Sequence, residues 1–384
     1  MKKKRTILFI TERRADYSRL KPIMYQVKKN KKLKMHLIIT GAHLLKEFGE
    51  TKKTVEKDGF HIDAIVPVFA STDSDDGRTM LKAFGNIIIK LTDIFYKLKP
   101  DIIFCGFDLG AHLAAAIVGV HLNIPVAHIQ GGERSGTVDE ILRHAITKFS
   151  HMHFVATKES RERIIKLGED PEYIFLVGSP SIDSIKNISY PSRKEIMEKY
   201  KLDPRKPLVL FSQHPVTTEI GLVTKQIRES IKALSYLRKK HKIQILAIYS
   251  NNDAGGKRIV KELKNSDFLV FPHIVFEDYL RLMKVADVLI GNSSAGIHEA
   301  PSFGLPTVNI GSRQQYRERG VNIVDVPCDS ALILKAIEKC LFDKKFRIKV
   351  KKGKNPYDFG NAAGKIVDIL ETVKLPPIQK VITY

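Results

Sequence analysis

GNSSAGIHEAPSFGLPTVNIGSRQQYRERG, residues 291–320, is the stretch whose reading decides the fold. A short apolar run at 288–290 enters its Gly-Asn-Ser-Ser turn. A helix-like segment then carries Glu299 and stops at Gly304 and Pro306, and a second apolar run leads into Gly-Ser-Arg. Strand, helix, strand in so few residues is a crossover unit of a parallel sheet. A strand that turns through small hydroxyl residues into a helix aims free N–H groups and a positive dipole end at one point, which makes an anion site. Ser293 and Ser294 also read plainly as helix caps, and Glu299 as a surface acid. Arg313, just after the second apolar run, tips the balance towards phosphate, with Glu299 placed to take a ribose diol. The stretch points to a nucleotide diphosphate.

The same alternation runs outward in both directions. Strands are expected at 6–11, 35–40, 62–68, 101–105, 125–129, 153–156 and 173–177, with helices between most of them, such as 16–29, 81–98 and 110–122. A second series of strands follows at 208–212, 243–249, 268–271, 288–290, 307–310 and 323–326. The pattern predicts an α/β chain of two Rossmann-like, doubly wound parallel-sheet domains facing a cleft. The expected division is 1–182, 183–358, and a closing helix and tail, 359–384, that returns to the first domain.

Composition narrows the function. At 384 residues the chain has room for two cores, and its 43% apolar and 28% charged residues are those of a soluble globular protein. No apolar run approaches the roughly 18 to 20 residues of a membrane span. The basic start, residues 1–5, precedes an apolar run too short for a signal-peptide core. A cytoplasmic protein without a membrane partner is expected. Cys105, Cys328 and Cys340 are odd in number and far apart, as reduced thiols are. The net charge of +22 invites a nucleic-acid reading, but the lysine clusters at 28–34, 238–242 and 344–354 lack interleaved aromatics. They read as solvated helix ends and loops, whose field would draw in an acidic small molecule.

Other candidates follow strands. Arg13 and Arg14 stand at the mouth of the first, where a guanidinium suits phosphate. Asp108, in Gly-Phe-Asp-Leu-Gly, is either a helix cap or a catalytic acid. Gly131 and Gly132 permit a tight turn and close ligand approach. Thr137 and Glu140 have capping-box spacing. Asp139, four residues before Arg143, is spaced to pair with it on one helical face. His214 precedes a proline turn and could contact a diphosphate or move protons. Asn251 lies in an Asx-rich turn. His151 and His153 lack the partners of a metal site.

Taken together, these residues resemble the UDP-N-acetylglucosamine 2-epimerase family over nearly the whole chain, and within it the hydrolysing branch. The likeness rests on RADYS at 14–18, HIQGGE at 128–133, RHAITK at 143–148, HPVTTE at 214–219, NNDAG at 251–255, GNSS at 291–294, GSRQ at 311–314 and GNA at 360–362. It implies a GT-B-like fold, a UDP-sugar in the cleft, and elimination of UDP followed by hydration, giving N-acetylmannosamine or its 2,4-diacetamido analogue for nonulosonic (sialic or legionaminic) acid synthesis. It implies that Arg14, His214, Ser293, Ser294 and Arg313 hold the diphosphate, with Glu299 on the ribose and Asn251 near the nucleotide. Arg143 counts among the binding residues. Asp108 and Asp139 match catalytic acids. A homodimer or tetramer is implied, and neither a metal nor another cofactor is. Two departures stand out. The family's GlyAspArg is Phe107-Asp108-Leu109 here, and its catalytic glutamate is Gln130. Glutamine is no base, so Glu133 is the candidate substitute. The departures also admit a weakened UDP-sugar binder, and the architecture admits a glycosyltransferase.

Overall fold

The computed structural model describes residues 4–70 and 72–384; residues 1–3 of the basic start lie outside the described residues. Seven strands form the first sheet: β1 (Arg5–Thr11), β2 (Leu33–Thr40), β3 (Ala64–Val66), β4 (Ile102–Gly106), β5 (Val126–Ile129), β6 (Met152–Val155) and β7 (Ile174–Leu176). Six form the second: β8 (Leu208–Ser212), β9 (Gln244–Ile248), β10 (Leu269–Phe271), β11 (Val288–Gly291), β12 (Thr307–Ile310) and β13 (Ile323–Val326). The orders are β3-β2-β1-β4-β5-β6-β7 and β10-β9-β8-β11-β12-β13. Every pairing among the described residues is parallel. Each expected strand is present, with its ends within two residues of the sequence reading.

The strands form because their residues can be buried on both faces, as a sheet covered by helices on each side requires. In β1, Ile7 and Phe9 pack with Leu20 and Ile23 of the helix Arg14–Lys29. Leu8 and Ile10 point the other way, onto Ile87 and Leu91 of the helix Gly77–Leu98 and the alanine-rich helix Gly110–His121. Successive side chains alternate faces, so one strand feeds two cores. β8 repeats the arrangement, with Val209 and Phe211 on one side and Leu208 and Leu210 on the other. Strand order reverses between β1 and β4 and again between β8 and β11, and ligands of such sheets sit at those crevices.

The helix Pro180–Asn187 lies at the passage between domains. Its Ile182 and Ile185 join the second core, while Asp183 accepts hydrogen bonds from the N–H groups of Ala362 and Ala363. That carboxylate caps the closing helix, Ala362–Thr372, whose Ile366 and Leu370 pack into the first core.

Three local readings are corrected. The segment after GNSS is a single α-turn, Ala295–His298, continued by a tight turn at Ala300–Phe303, because Pro301 and Gly304 interrupt it. So short a helix carries little dipole. The capping box at Thr137 and Glu140 does not form. The helix begins at Asp139, and Glu140 instead accepts from the Ser135 N–H at 2.6 Å. The lysine cluster from 344 onward forms a helix of its own, Lys344–Lys351. Among the described residues no helix is long and apolar enough to cross a membrane.

Candidate active site

The carboxyl ends of β1, β8, β9 and β11 meet across an open cleft with about 1080 Å³ of empty space. Its first wall is the turn after β1. Asp16 fixes that turn by accepting from the N–H groups of Glu12 and Arg13 at 2.7 and 2.9 Å, while His112 holds its carboxylate from behind at 3.0 Å. The two arginines then divide. Arg13 is buried and crosses to Asp253 at 2.8 Å, tying the domains together. Arg14 lines the cleft and donates to the carbonyls of Tyr249 and Pro272 at 2.9 and 3.0 Å. Burial, with Arg13 close by, lowers its pKa to about 10. Its Nη1 also lies 3.5 Å from His273 Nδ1, and a half-buried cation with no carboxylate among its described partners is suited to an anion. Arg19, which sequence reasoning passed over, donates to Ser294 Oγ at 2.9 Å and stands 3.8 Å from Glu299.

The second wall is built around Asn292, whose amide accepts from the His214 N–H at 2.7 Å and donates to the His214 carbonyl at 2.9 Å. Gly291 makes this possible, since a Cβ there would lie 2.0 Å from the Ser212 oxygen and its φ is +122°. His214 Nδ1 lies 3.2 Å from both the Asn251 N–H and Asn251 Oδ1, which fixes the ring's orientation. Burial, then Arg313, pushes the His214 pKa down to about 3. His214 is thus neutral at neutral pH. Ser293 caps Ala295 N–H at 3.3 Å. Glu299 is 2% exposed, and its Oε2 has no partner; the Tyr279 hydroxyl and both polar atoms of the Asn252 side chain, which also line the cleft, lack one too. Leaving a buried acceptor unpaired costs about 1–3 kcal/mol, so these atoms mark where a polar ligand belongs.

Beyond the second wall lies a cluster of acids and arginines at the ends of β4 and β5. Arg143 is 1% exposed and donates to Asp108, to the Glu133 carbonyl at 3.0 Å and to Glu140 at 3.2 Å. The expected Asp139–Arg143 pair is therefore absent: Asp139 faces Arg313 of the other domain at 3.6 Å. Arg143 thus has its guanidinium engaged by Asp108, Glu133, Ser135 and Glu140. Asp108 is no helix cap either; Arg317, also unread in the sequence, stands 3.6 Å from it. Burial works to raise the Asp108 pKa, but Arg143 and Arg317 outweigh it and hold the group below its usual range. Asp139 moves the opposite way, to about 6, raised by burial and then by the charge of Asp108. Environments that push two carboxylates apart assign them different proton duties.

Glu133 is less available than its place in the sequence suggests. Its carboxylate takes His298 at 3.0 Å, Arg317 at 2.8 Å and the Gln130 amide at 2.9 Å, and its pKa is held far down despite burial. A carboxylate so engaged is a structural anion and a poor base. His153 pairs with Glu169 at 3.2 Å, and His151 accepts from the Val126 N–H at 3.1 Å. Cys105, Cys328 and Cys340 are free thiols.

A family profile described as UDP-N-acetylglucosamine 2-epimerase matches residues 25–371. The chain belongs to that family. Among epimerase relatives, it is 36% identical to UDP-N,N'-diacetylbacillosamine 2-epimerase (hydrolyzing) of Legionella pneumophila, over 97% of both chains. It is also 36% identical to UDP-N-acetylglucosamine 2-epimerase of Neisseria meningitidis, over 88% of both. A crystal structure of a Neisseria meningitidis UDP-GlcNAc 2-epimerase bound to UDP-GlcNAc superimposes with a TM-score of 0.81, covering 95% of this chain and 99% of that one at 20% identity, a likeness of fold. Within this epimerase chain the two departures sit together. Leu109 precedes the helix Gly110–His121 without capping it, and Gln130 lies at the end of the neighbouring strand.

Proposed function

We propose that this chain is a hydrolysing UDP-sugar 2-epimerase, releasing UDP and the free 2-epimeric sugar for nonulosonic acid synthesis. The observation that carries the reading is Asp139, a carboxylate poised near pH 6, facing Arg313 between a second, ionised carboxylate and the arginine-lined cleft. In this reading Arg14, Arg313 and His214 hold the pyrophosphate, with Ser293 and Ser294 at its edge. Asn251 orients His214, and Glu299 Oε2 awaits the ribose hydroxyls. Asp139 removes the weakly acidic proton at carbon 2 while the C1–O bond to UDP breaks, leaving a C1=C2 double bond. Water then adds its hydroxyl to carbon 1 and a proton to carbon 2. The cations supply the leaving-group stabilisation without which so weak an acid would not react.

Calorimetric titration with UDP tests the binding half. Uptake in the micromolar range or tighter is expected, and no uptake would sink the reading. Glu299→Gln, which keeps shape and removes charge, should weaken UDP by about tenfold or more, the worth of hydrogen bonds to a charged group. It should weaken 2′-deoxy-UDP much less. Equal losses for the two ligands would remove Glu299 from the ribose.

A further inference from the structure

Gln130 follows β5 directly, beside the end of β4 that carries Asp108, and its backbone is left-handed with φ at +56°. That conformation is strained for a residue with a Cβ, and strain of this kind persists where the surroundings enforce it, often at functional sites. The side chain is 1% exposed. Its Nε2 donates to Glu133 Oε1 at 2.9 Å. Glu133 is held as an anion by His298 and Arg317, and a carboxylate only accepts, so the amide cannot be turned over. The Gln130 oxygen is thereby fixed on the opposite side, buried, without a donor.

An orphaned acceptor locked in place at the carboxyl edge of the sheet is an unfilled contact. We propose that Gln130 is a substrate-contacting specificity residue whose Oε1 accepts a hydrogen bond from an O–H or acetamido N–H of the sugar. The proposal deepens the epimerase reading and rests on it. An amide cannot exchange a proton, so the residue reads the sugar and leaves the base chemistry to Asp139. Glu133, His298 and Arg317 serve as the frame that aims it.

The test measures binding by calorimetry in an Asp139→Asn background, so that substrate survives the titration. The ligands are UDP, UDP-N-acetylglucosamine and its 2,4-diacetamido-trideoxy analogue. Adding Gln130→Met, which keeps the length and removes the acceptor, is expected to weaken at least one UDP-sugar about tenfold while UDP binds as before. Loss confined to the diacetamido sugar assigns the donor to its 4-acetamido N–H. Loss confined to UDP-N-acetylglucosamine assigns it to a hydroxyl that the trideoxy sugar lacks, at carbon 4 or carbon 6, and equal loss assigns it to a donor both sugars share. UDP-sugars bound as tightly as before, or UDP weakened along with them, would overturn the proposal. Because these titrations involve no turnover, they stand apart from the wild-type activity assay, on which the epimerase reading itself fails or survives.

Discussion

Replacing Asp139 by asparagine should lower kcat/KM by about 10²- to 10⁴-fold, the range lost when a positioned general base is removed. UDP affinity should stay near the wild-type value. The separation follows from position: Asp139 begins the helix Asp139–Phe149 and meets the nucleotide half in an ion pair with Arg313 at 3.6 Å, which still leaves Arg313 to the diphosphate. In the unaltered protein the base works when ionised, so kcat/KM should fall about tenfold per unit as pH drops below about 6. Asp139→Asn should abolish that limb along with the rate. Equal loss of turnover and UDP binding would make Asp139 a structural residue, and an acid limb surviving in the variant would move the base elsewhere.

Arg313→Ala should damage both halves of the site at once. Its guanidinium lies in the cleft wall, 3.2 Å from the Asn292 carbonyl, where a pyrophosphate would gain a charge-assisted contact. Losing such a contact costs about 1.5–3 kcal/mol, or roughly 10- to 100-fold in UDP affinity. The second effect is electrostatic. Burial and Asp108 raise the Asp139 pKa while Arg313 lowers it, so removing the cation lets that pKa rise. The acid limb of residual activity should therefore move to higher pH. Calorimetry with UDP and a pH–rate profile read the two effects separately. Unchanged UDP affinity, or a limb that stays near pH 6, would contradict the corresponding role.

The fold was legible because central parallel strands buried on both faces are written as apolar runs, as in residues 102–105 and 208–211, and edge strands such as 323–326 still carry apolar residues around one polar position. Residues 208–212, 307–310 and 323–326 could be bounded to the residue. Which acids and bases meet was much less legible. Spacing along one helix suggested Asp139 with Arg143, but helical neighbours compete with groups delivered by other strands. Asp108 at the end of β4 and Glu140 take that arginine, and a residue of the other domain faces Asp139. Arg19 left only a faint mark, one and a half turns beyond Arg14, and Arg317 left none, since its partners arrive from other parts of the chain. Gln130 was visible as a missing carboxylate. Its amide orientation was not, because that depends on Glu133 being held as an anion by groups brought in by folding.

The central claim is hydrolytic epimerisation through loss of the proton at carbon 2. Incubating the wild-type protein with UDP-N-acetylglucosamine and with its 2,4-diacetamido analogue in heavy water, and following the products by NMR, tests it most directly. The account predicts UDP together with a free sugar inverted at carbon 2 and carrying deuterium there, from at least one of the two substrates. Free sugar with its original hydrogen and configuration, an epimer still joined to UDP, or no UDP from either substrate would contradict it.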